Sequence, residues 1–277
     1  MLTGLESVTS EAKKPLLNLQ KEISRIINDD LIGVYLHGSL ALGGFNPDAS
    51  DIDAIAVTRS TLTTETKEKL ARTFLRTSNS PFPLEIHFLN ARQLTQWQHP
   101  CPFDFHFSEF WREQYTDDLL TGTKDFLNGI AADADLAAHI TILNHSGICL
   151  TGKPINEVFP SVPQSDYLSA IMNDYRDCLE NIHAEPVYST LNLIRVLRYL
   201  KDGKIASKAE AGSWGLSALP EDLRLTLKKV TTCYATNDAA HRFGKQELER
   251  MKNYLSDRVR ALQERFPDER KKMPPRN

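Results

Sequence analysis

Two aspartates, Asp51 and Asp53, stand at positions i and i+2 at the head of the apolar run DIDAIAVT, and Gly38-Ser39 closes an earlier apolar run, LIGVYLHGS. On an extended strand that spacing places both carboxylates on one face, ~6–7 Å apart at their backbones. Two acids so close repel each other unless a cation lies between them. A chain turn at Gly38 with the Ser39 hydroxyl beside it offers N–H and O–H donors, which is what phosphate oxygens need. An Asx turn at Asp51 with Asp53 merely solvated would give the same letters, so the surroundings must decide. A third acid follows in LEIHFL, where Glu85 shares a face with His87 while Leu84, Ile86 and Phe88 occupy the other. With those three in the core, Glu85 falls on the open side used by the aspartates. Three carboxylates form a hard oxygen donor set suited to Mg²⁺, whose preference for phosphate oxygens points to nucleotide chemistry.

Such residues need strands held side by side. Residues 11–28 carry Leu16, Leu19, Ile23, Ile26 and Ile27 near helical spacing, with Pro15 in the first turn. The two apolar runs around GGFNPDAS read as strands, residues 62–76 as a helix, and PFPLEIHFLN as a third strand. Residues 97–117 concentrate aromatics without a clean period and read as a packed connection. From about residue 134 helical segments succeed one another, at 134–146, 165–183, 188–201, 208–217, 221–234 and 238–265, with Gly203 and Pro220 as stop signals. TGKPINEVFPSV, rich in Pro, reads as a linker. The expected fold is therefore α+β: a mixed sheet with flanking helices over residues 1–157, an α-helical bundle over 158–267, and a flexible basic tail over 268–277.

Composition narrows the function classes. With 33 Lys+Arg against 36 Asp+Glu and 41% hydrophobic residues, the 277-residue chain is long enough and apolar enough for two cored domains, which excludes a disordered protein. A formal net charge of −3 gives no global attraction to phosphate backbones or anionic lipid, so neither a nucleic acid nor a membrane is an expected partner. No stretch approaches the ~18 apolar residues of a membrane span. The N-terminus lacks an apolar leader, and four scattered cysteines suit free thiols in a reducing, cytoplasmic setting. His87, His99 and His106 lie close in the chain, yet their spacing fits no zinc pattern, and no zinc is assigned.

Gly38-Ser39, a spacer, Ser50-Asp51-Ile52-Asp53 and the later Glu85 resemble the nucleotidyltransferase fold shared with DNA polymerase beta. LNLIRVLRYLKDGKIASKAEAGSWGL, residues 191–216, resembles the C-terminal helical domain of the aminoglycoside adenylyltransferases that act on streptomycin and spectinomycin. The resemblance implies an N-terminal nucleotidyltransferase domain and a site between the two domains. It implies metal binding by Asp51 and Asp53, with Glu85 as a third ligand and as the base that takes the proton from the acceptor hydroxyl. It also implies phosphate contact by Gly38 and Ser39, ATP-phosphate contact by Arg195 and Lys208, and a nucleotide neighbour in Tyr234. For a polycationic acceptor the available acids are Glu109, Asp174, Glu180 and Glu185, and the available aromatics Phe110, Trp111 and Tyr188. The streptomycin-modifying members imply a tryptophan where Phe110 stands and an aspartate near Glu185, so this chain departs from them at both places.

The expected activity is that of a Mg²⁺-dependent O-adenylyltransferase. It would transfer AMP from ATP to a hydroxyl of an aminoglycoside-type antibiotic, streptomycin or spectinomycin, with release of pyrophosphate. Two Mg²⁺ ions ~3.5–4 Å apart would clamp the triphosphate, and a monomer is expected to act. Other readings remain open on these residues: transfer to a protein, an RNA end or another small metabolite, or nucleotide binding without turnover.

Overall fold

The computed structural model describes residues 8–129, 131–237 and 242–263. The chain divides into two compact units, Met1–Val162 and Pro163–Asn277. The expected tail 268–277 and both ends of the expected helix 238–265 lie outside the described residues.

The first unit runs α1 (Ser10–Ile27), β1 (Leu31–Leu36), α2 (Gly38–Ala41), β2 (Ile52–Thr58), α3 (Thr64–Thr77), β3 (Leu84–Asn90) and α4 (Ala91–Thr95). It continues through β4 (Cys101–Phe103), β5 (Phe105–Phe107), α5 (Arg112–Thr121), α6 (Asp125–Asn128), β6 (Ala131–Asp133), α7 (Leu136–Ser146), β7 (Ile148–Gly152) and α8 (Ile155–Val158). Five strands form one sheet in the order β5-β3-β2-β1-β7, and β4 pairs with β6 separately. Among the described residues only β2 and β3 run parallel, joined by α3 as a crossover; the other pairs in this sheet are antiparallel.

Both faces of the sheet are covered, which is why its central strands read as near-continuous apolar runs. Val34, Leu36, Ala54, Ala56, Ile86 and Phe88 pack with Leu16 and Ile23 of α1 and Leu70 and Phe74 of α3. Tyr35, Ile55, Val57 and Leu89 pack on the opposite face with Leu94 of α4 and Leu136, Ile140 and Leu143 of α7. Alternation along β2 and β3 thereby sends Asp53, Glu85 and His87 to the α7 side of the sheet.

The middle of the first unit is more ordered than its sequence suggests. The stretch 97–117 is not an irregular connection but contains β4, β5 and the start of α5; Phe105 and Phe107, both buried, alternate with Asp104 and His106 at strand period. The helix expected at 134–146 is α7, and it covers the sheet of the first unit. The segment 148–152 is β7, pairing antiparallel with β1; at five residues it carries too little periodicity to announce itself.

Among the described residues the second unit is all helical: α9 (Gln164–Asn181), α10 (Pro186–Asp202), α11 (Lys208–Ala218), α12 (Glu221–Thr236) and α13 (Lys245–Gln263). α10 touches all four others, and its Leu191, Leu193, Ile194, Val196, Leu197 and Leu200 are buried, so it is apolar around most of its circumference. Pro186 occupies its first turn, and Gly203, at φ 68°, closes it in the left-handed conformation. α11 starts on a capping box in which Ser207 and Glu210 satisfy each other's backbone N–H groups.

Candidate active site

At the end of β1 the chain turns sharply through His37 and Gly38 into the single turn of α2. Gly38 has φ +58°, and a Cβ at that position would stand 1.8 Å from Asp53 Oδ2 and 2.5 Å from Asp53 Cγ. Backbone and carboxylate are therefore pressed together where only glycine fits. The turn is tied to β2 by the His37 N–H, which donates to the Asp53 carbonyl at 3.1 Å. The Ser39 N–H points at Asp53 Oδ2 at 3.4 Å, and the Ser39 hydroxyl is buried without a hydrogen-bond partner. Asp53 and Glu85 occupy paired positions in the parallel β2–β3 register. Asp51 is exposed one residue before β2.

The two paired carboxylates titrate in opposite directions. Asp53 is pushed up to about 7, first by burial and then by the charges of Glu85 and Asp51, against the pull of His139 and the Ser39 N–H. Burial also penalises the Glu85 carboxylate, but the imidazoles of His106, His139 and His87 outweigh that penalty and hold it down at about 2. His106 Nε2 lies 3.7 Å from Glu85 Oε1.

A wall of histidines backs this pair. His87 stacks on His106 with ring centroids 3.9 Å apart, and His37 on His139 at 4.6 Å. His87 is fully buried, and burial pulls it down to about 4, so it is neutral at neutral pH. Its Nε2 is 3.0 Å from Asp133 Oδ2. Asp133 lies well below the ordinary carboxylate range, because the His87 hydrogen bond outweighs the burial that opposes it, so Nε2–H is the donor and Nδ1 carries the lone pair. His37, His139 and Asp133 escaped the sequence reading. The alternation of β3 placed His87 on the Glu85 face, but His139 on α7 and Asp133 on β6 arrive only through the fold.

Mg²⁺ fits the acidic side of this site. The donors are carboxylate oxygens, and the like-charge crowding that lifts Asp53 is the strain a dication relieves. The ligand atoms of Glu85, His87 and His139 also lie within 4.8 Å of one another.

The other sequence-predicted residues fall into two groups. In the helical unit, Asp174 on α9, Tyr188 and Arg195 on α10 and Lys208 at the start of α11 come together. Lys208 Nζ is 4.2 Å from the Tyr188 ring centroid. The Arg195 guanidinium is aimed by bonds to the Ala206 carbonyl at 2.9 Å and to Asn192 Oδ1 at 3.0 Å. Burial raises Asp174, and the charges of Arg195 and Lys208 oppose it. Tyr234 on α12 packs on the same core, and burial raises its hydroxyl against the field of Arg195. Glu185 is exposed and caps α10 through its carbonyl, which accepts the Ser189 N–H. Glu109, Phe110 and Trp111 belong to the first unit. There Glu109 is held by Arg112, Nε to Oε2 at 2.7 Å, and by the Ser78 hydroxyl. Trp111 packs on the core, and Phe110 is 77% exposed.

The turn at Gly38-Ser39 against a strand carboxylate, on a mixed sheet followed by a helical unit, defines a nucleotidyltransferase, and residues 18–116 match the nucleotidyltransferase domain family. Residues 157–258 match the C-terminal domain of aminoglycoside adenylyltransferases. Across both units the chain is 26% identical over 268 residues to an aminoglycoside (3'') (9) adenylyltransferase of Shigella flexneri, covering 92% of this chain and 97% of that one. It is 26% identical over 208 residues to a spectinomycin 9-adenylyltransferase of Staphylococcus aureus, covering 73% and 77%. The fold is that of a spectinomycin adenylyltransferase of Enterococcus faecalis solved with ATP and spectinomycin, with a TM-score of 0.73 and 22% identity over 89% of this chain and 98% of that one. The chain belongs to the aminoglycoside adenylyltransferase family and is an enzyme of the nucleotidyltransferase class.

Proposed function

We propose that the protein is a Mg²⁺-dependent O-adenylyltransferase that moves AMP from ATP to a hydroxyl of spectinomycin or streptomycin and releases pyrophosphate. The observation that carries this reading is the contact of Gly38 and Ser39 with Asp53, beside Glu85 in the paired position. The orphaned Ser39 hydroxyl supplies a donor for a phosphate oxygen. Asp51, Asp53 and Glu85 would hold Mg²⁺, which when bound supplies positive charge to the triphosphate and the leaving pyrophosphate. From the helical unit, Arg195 and Lys208 carry the further positive charge that this reading assigns to the ATP phosphates, with Tyr234 near the nucleotide. Glu85, ionised at neutral pH, accepts the hydrogen bond of the attacking hydroxyl and so aims its oxygen. A carboxylate held that low takes the proton only as the oxygen–phosphorus bond forms and the bond from the α-phosphorus to the pyrophosphate oxygen breaks. Asp174, Glu185 and Tyr188, with Glu109, Phe110 and Trp111, are the groups this reading offers to the cationic acceptor. A single chain holds every proposed group, so a cytoplasmic monomer supplied with ATP suffices.

Purified protein with ATP, Mg²⁺ and either drug should release pyrophosphate and yield an acceptor heavier by one adenylyl group. Glu85→Gln should lower kcat by roughly 10²–10⁴-fold with ATP binding nearly unchanged. No turnover on either drug would remove the acceptor assignment, and a normal kcat for Glu85→Gln would place the base elsewhere.

A further inference from the structure

We propose that Glu85, His87 and His139 form a site for a borderline transition-metal dication of the Zn²⁺ class, and that its occupation blocks AMP transfer. One carboxylate and two imidazoles, with ligand atoms mutually within 4.8 Å, make up the set. Two imidazole nitrogens with one oxygen suit Zn²⁺, for which three protein ligands and one open position are a common arrangement. Mg²⁺ prefers oxygen donors and keeps its waters, so this set selects against it. Bond lengths of ~2.0–2.2 Å place tetrahedral ligand atoms ~3.3–3.6 Å apart, which lies inside the 4.8 Å that bounds the three donors.

Two further observations point to a ligand. His87 Nδ1 and His139 Nδ1 are buried and have no hydrogen-bond partner. A buried nitrogen left without a partner is costly, and a metal ion satisfies it. The opposite nitrogen of His87 is bonded to Asp133 at 3.0 Å. That is the carboxylate–histidine pairing which, behind a metal, fixes the tautomer and turns the remaining lone pair toward the ion. His106 Nε2, buried and paired with Glu85 Oε1 at 3.7 Å, offers a fourth donor. The inhibitory consequence, and it alone, rests on the proposed function: Zn²⁺ held by His87 and His139 would draw the Glu85 carboxylate away from the Mg²⁺ it shares with Asp51 and Asp53, and with it from the acceptor hydroxyl.

The test uses untagged, full-length, metal-stripped protein titrated with Co²⁺, whose visible absorption reports imidazole ligation, followed by Zn²⁺ competition. Wild type should bind one equivalent with visible bands that Zn²⁺ abolishes. His139→Gln should weaken binding at least 10-fold, Asp133→Asn by about 10–100-fold, and Asp51→Asn should leave it unchanged. Zn²⁺ should raise the wild-type melting temperature in proportion to the logarithm of its concentration and should not raise that of His139→Gln. Melting of each metal-free variant separates lost ligation from lost folding. Absence of visible bands in wild type, full affinity in folded His139→Gln, or lost affinity in Asp51→Asn would overturn the site. In the pyrophosphate assay Zn²⁺ should inhibit, with at least 10-fold more required for His139→Gln; equal sensitivity would overturn the block. Failure of every acceptor to turn over would remove the proposed function instead, while the Co²⁺ titration would still decide the metal site.

Discussion

Gly38→Ala and Gly43→Ala form a matched pair that isolates the contact between the turn and Asp53. Both glycines have positive φ, +58° and +67°, and an alanine in that region costs about 1–2 kcal/mol from its own backbone. At Gly43 a Cβ meets nothing within 4 Å, so the backbone cost is the whole cost. At Gly38 the new Cβ would lie 1.8 Å from Asp53 Oδ2, 2.5 Å from Cγ and 2.9 Å from Cβ, where ordinary contact begins at 3.4 Å. The carboxylate or the turn must retreat by more than an ångström, and a displacement of about 1 Å at a reacting centre costs about 10²-fold in rate. Gly43→Ala should therefore lower the melting temperature by about 2–8 °C, at 2–4 °C per kcal/mol for a unit of this size, with kcat within a few-fold of wild type. Gly38→Ala should melt lower still and lose at least about 10²-fold in kcat. Circular-dichroism melting and pyrophosphate release at saturating ATP and acceptor read both quantities. If Gly38→Ala keeps a kcat within threefold of Gly43→Ala, the close approach does not position Asp53 and the reasoning fails.

Asp104 is buried and accepts from the Leu62 N–H at 2.9 Å, Asn90 Nδ2 at 3.0 Å and Gln93 Nε2 at 3.0 Å; Asp104→Ala strands those donors and should cost about 2–4 kcal/mol in urea unfolding. Burial pushes the Cys101 and Cys178 thiols up to about 12, whereas Cys149 is half-exposed, so iodoacetamide at pH 8 should label Cys149 first by mass spectrometry. Labelling of Cys101 or Cys178 at an equal rate would contradict this. The raised Asp53 contributes stability that is complete below its ordinary value of 3.8 and is lost as pH rises through about 7. In metal-free buffer the wild-type urea midpoint should thus fall relative to Asp53→Asn between pH 4 and pH 7, and added Mg²⁺ should abolish the difference; parallel pH profiles would count against it.

What was legible in the sequence is what depends on neighbours along the chain. The i, i+2 spacing of Asp51 and Asp53 and the alternation around Glu85 are properties of a few consecutive residues, and β2 and β3 follow them. The helices of the second unit carry their start and stop signals in consecutive residues: α11 opens on the Ser207–Glu210 capping box and α10 ends on Gly203. The rest depends on contacts between distant segments. β7 exists because β1 offers it an edge, and β5 because β3 does. His139 and Asp133 reach His87 across 52 and 46 positions of the sequence, a separation to which no spacing rule applies. Spacing ruled out a local zinc pattern and was silent about a non-local donor set.

Asp53 and Glu85 begin as equivalents, acids at paired positions of two parallel strands, and their surroundings make them different. Asp53 has one weak N–H contact and a neighbouring charge, so in the metal-free chain it is the member that keeps a proton. Glu85 faces imidazoles and stays ionised. A dication arriving at the pair therefore displaces a proton from Asp53 as it binds, and the net charge of the buried site changes by less than the ion's own two units. The same imidazoles that keep Glu85 ionised carry nitrogens without a hydrogen-bond partner, so the histidine wall both readies the carboxylate and adds nitrogen donors beside it. The two roles conflict. On the proposed reading an oxygen-preferring ion would draw on Asp53 and Asp51, a nitrogen-preferring ion on His87 and His139, and Glu85 would be common to both, so the two ions would compete for the one carboxylate that is assigned to the attacking hydroxyl.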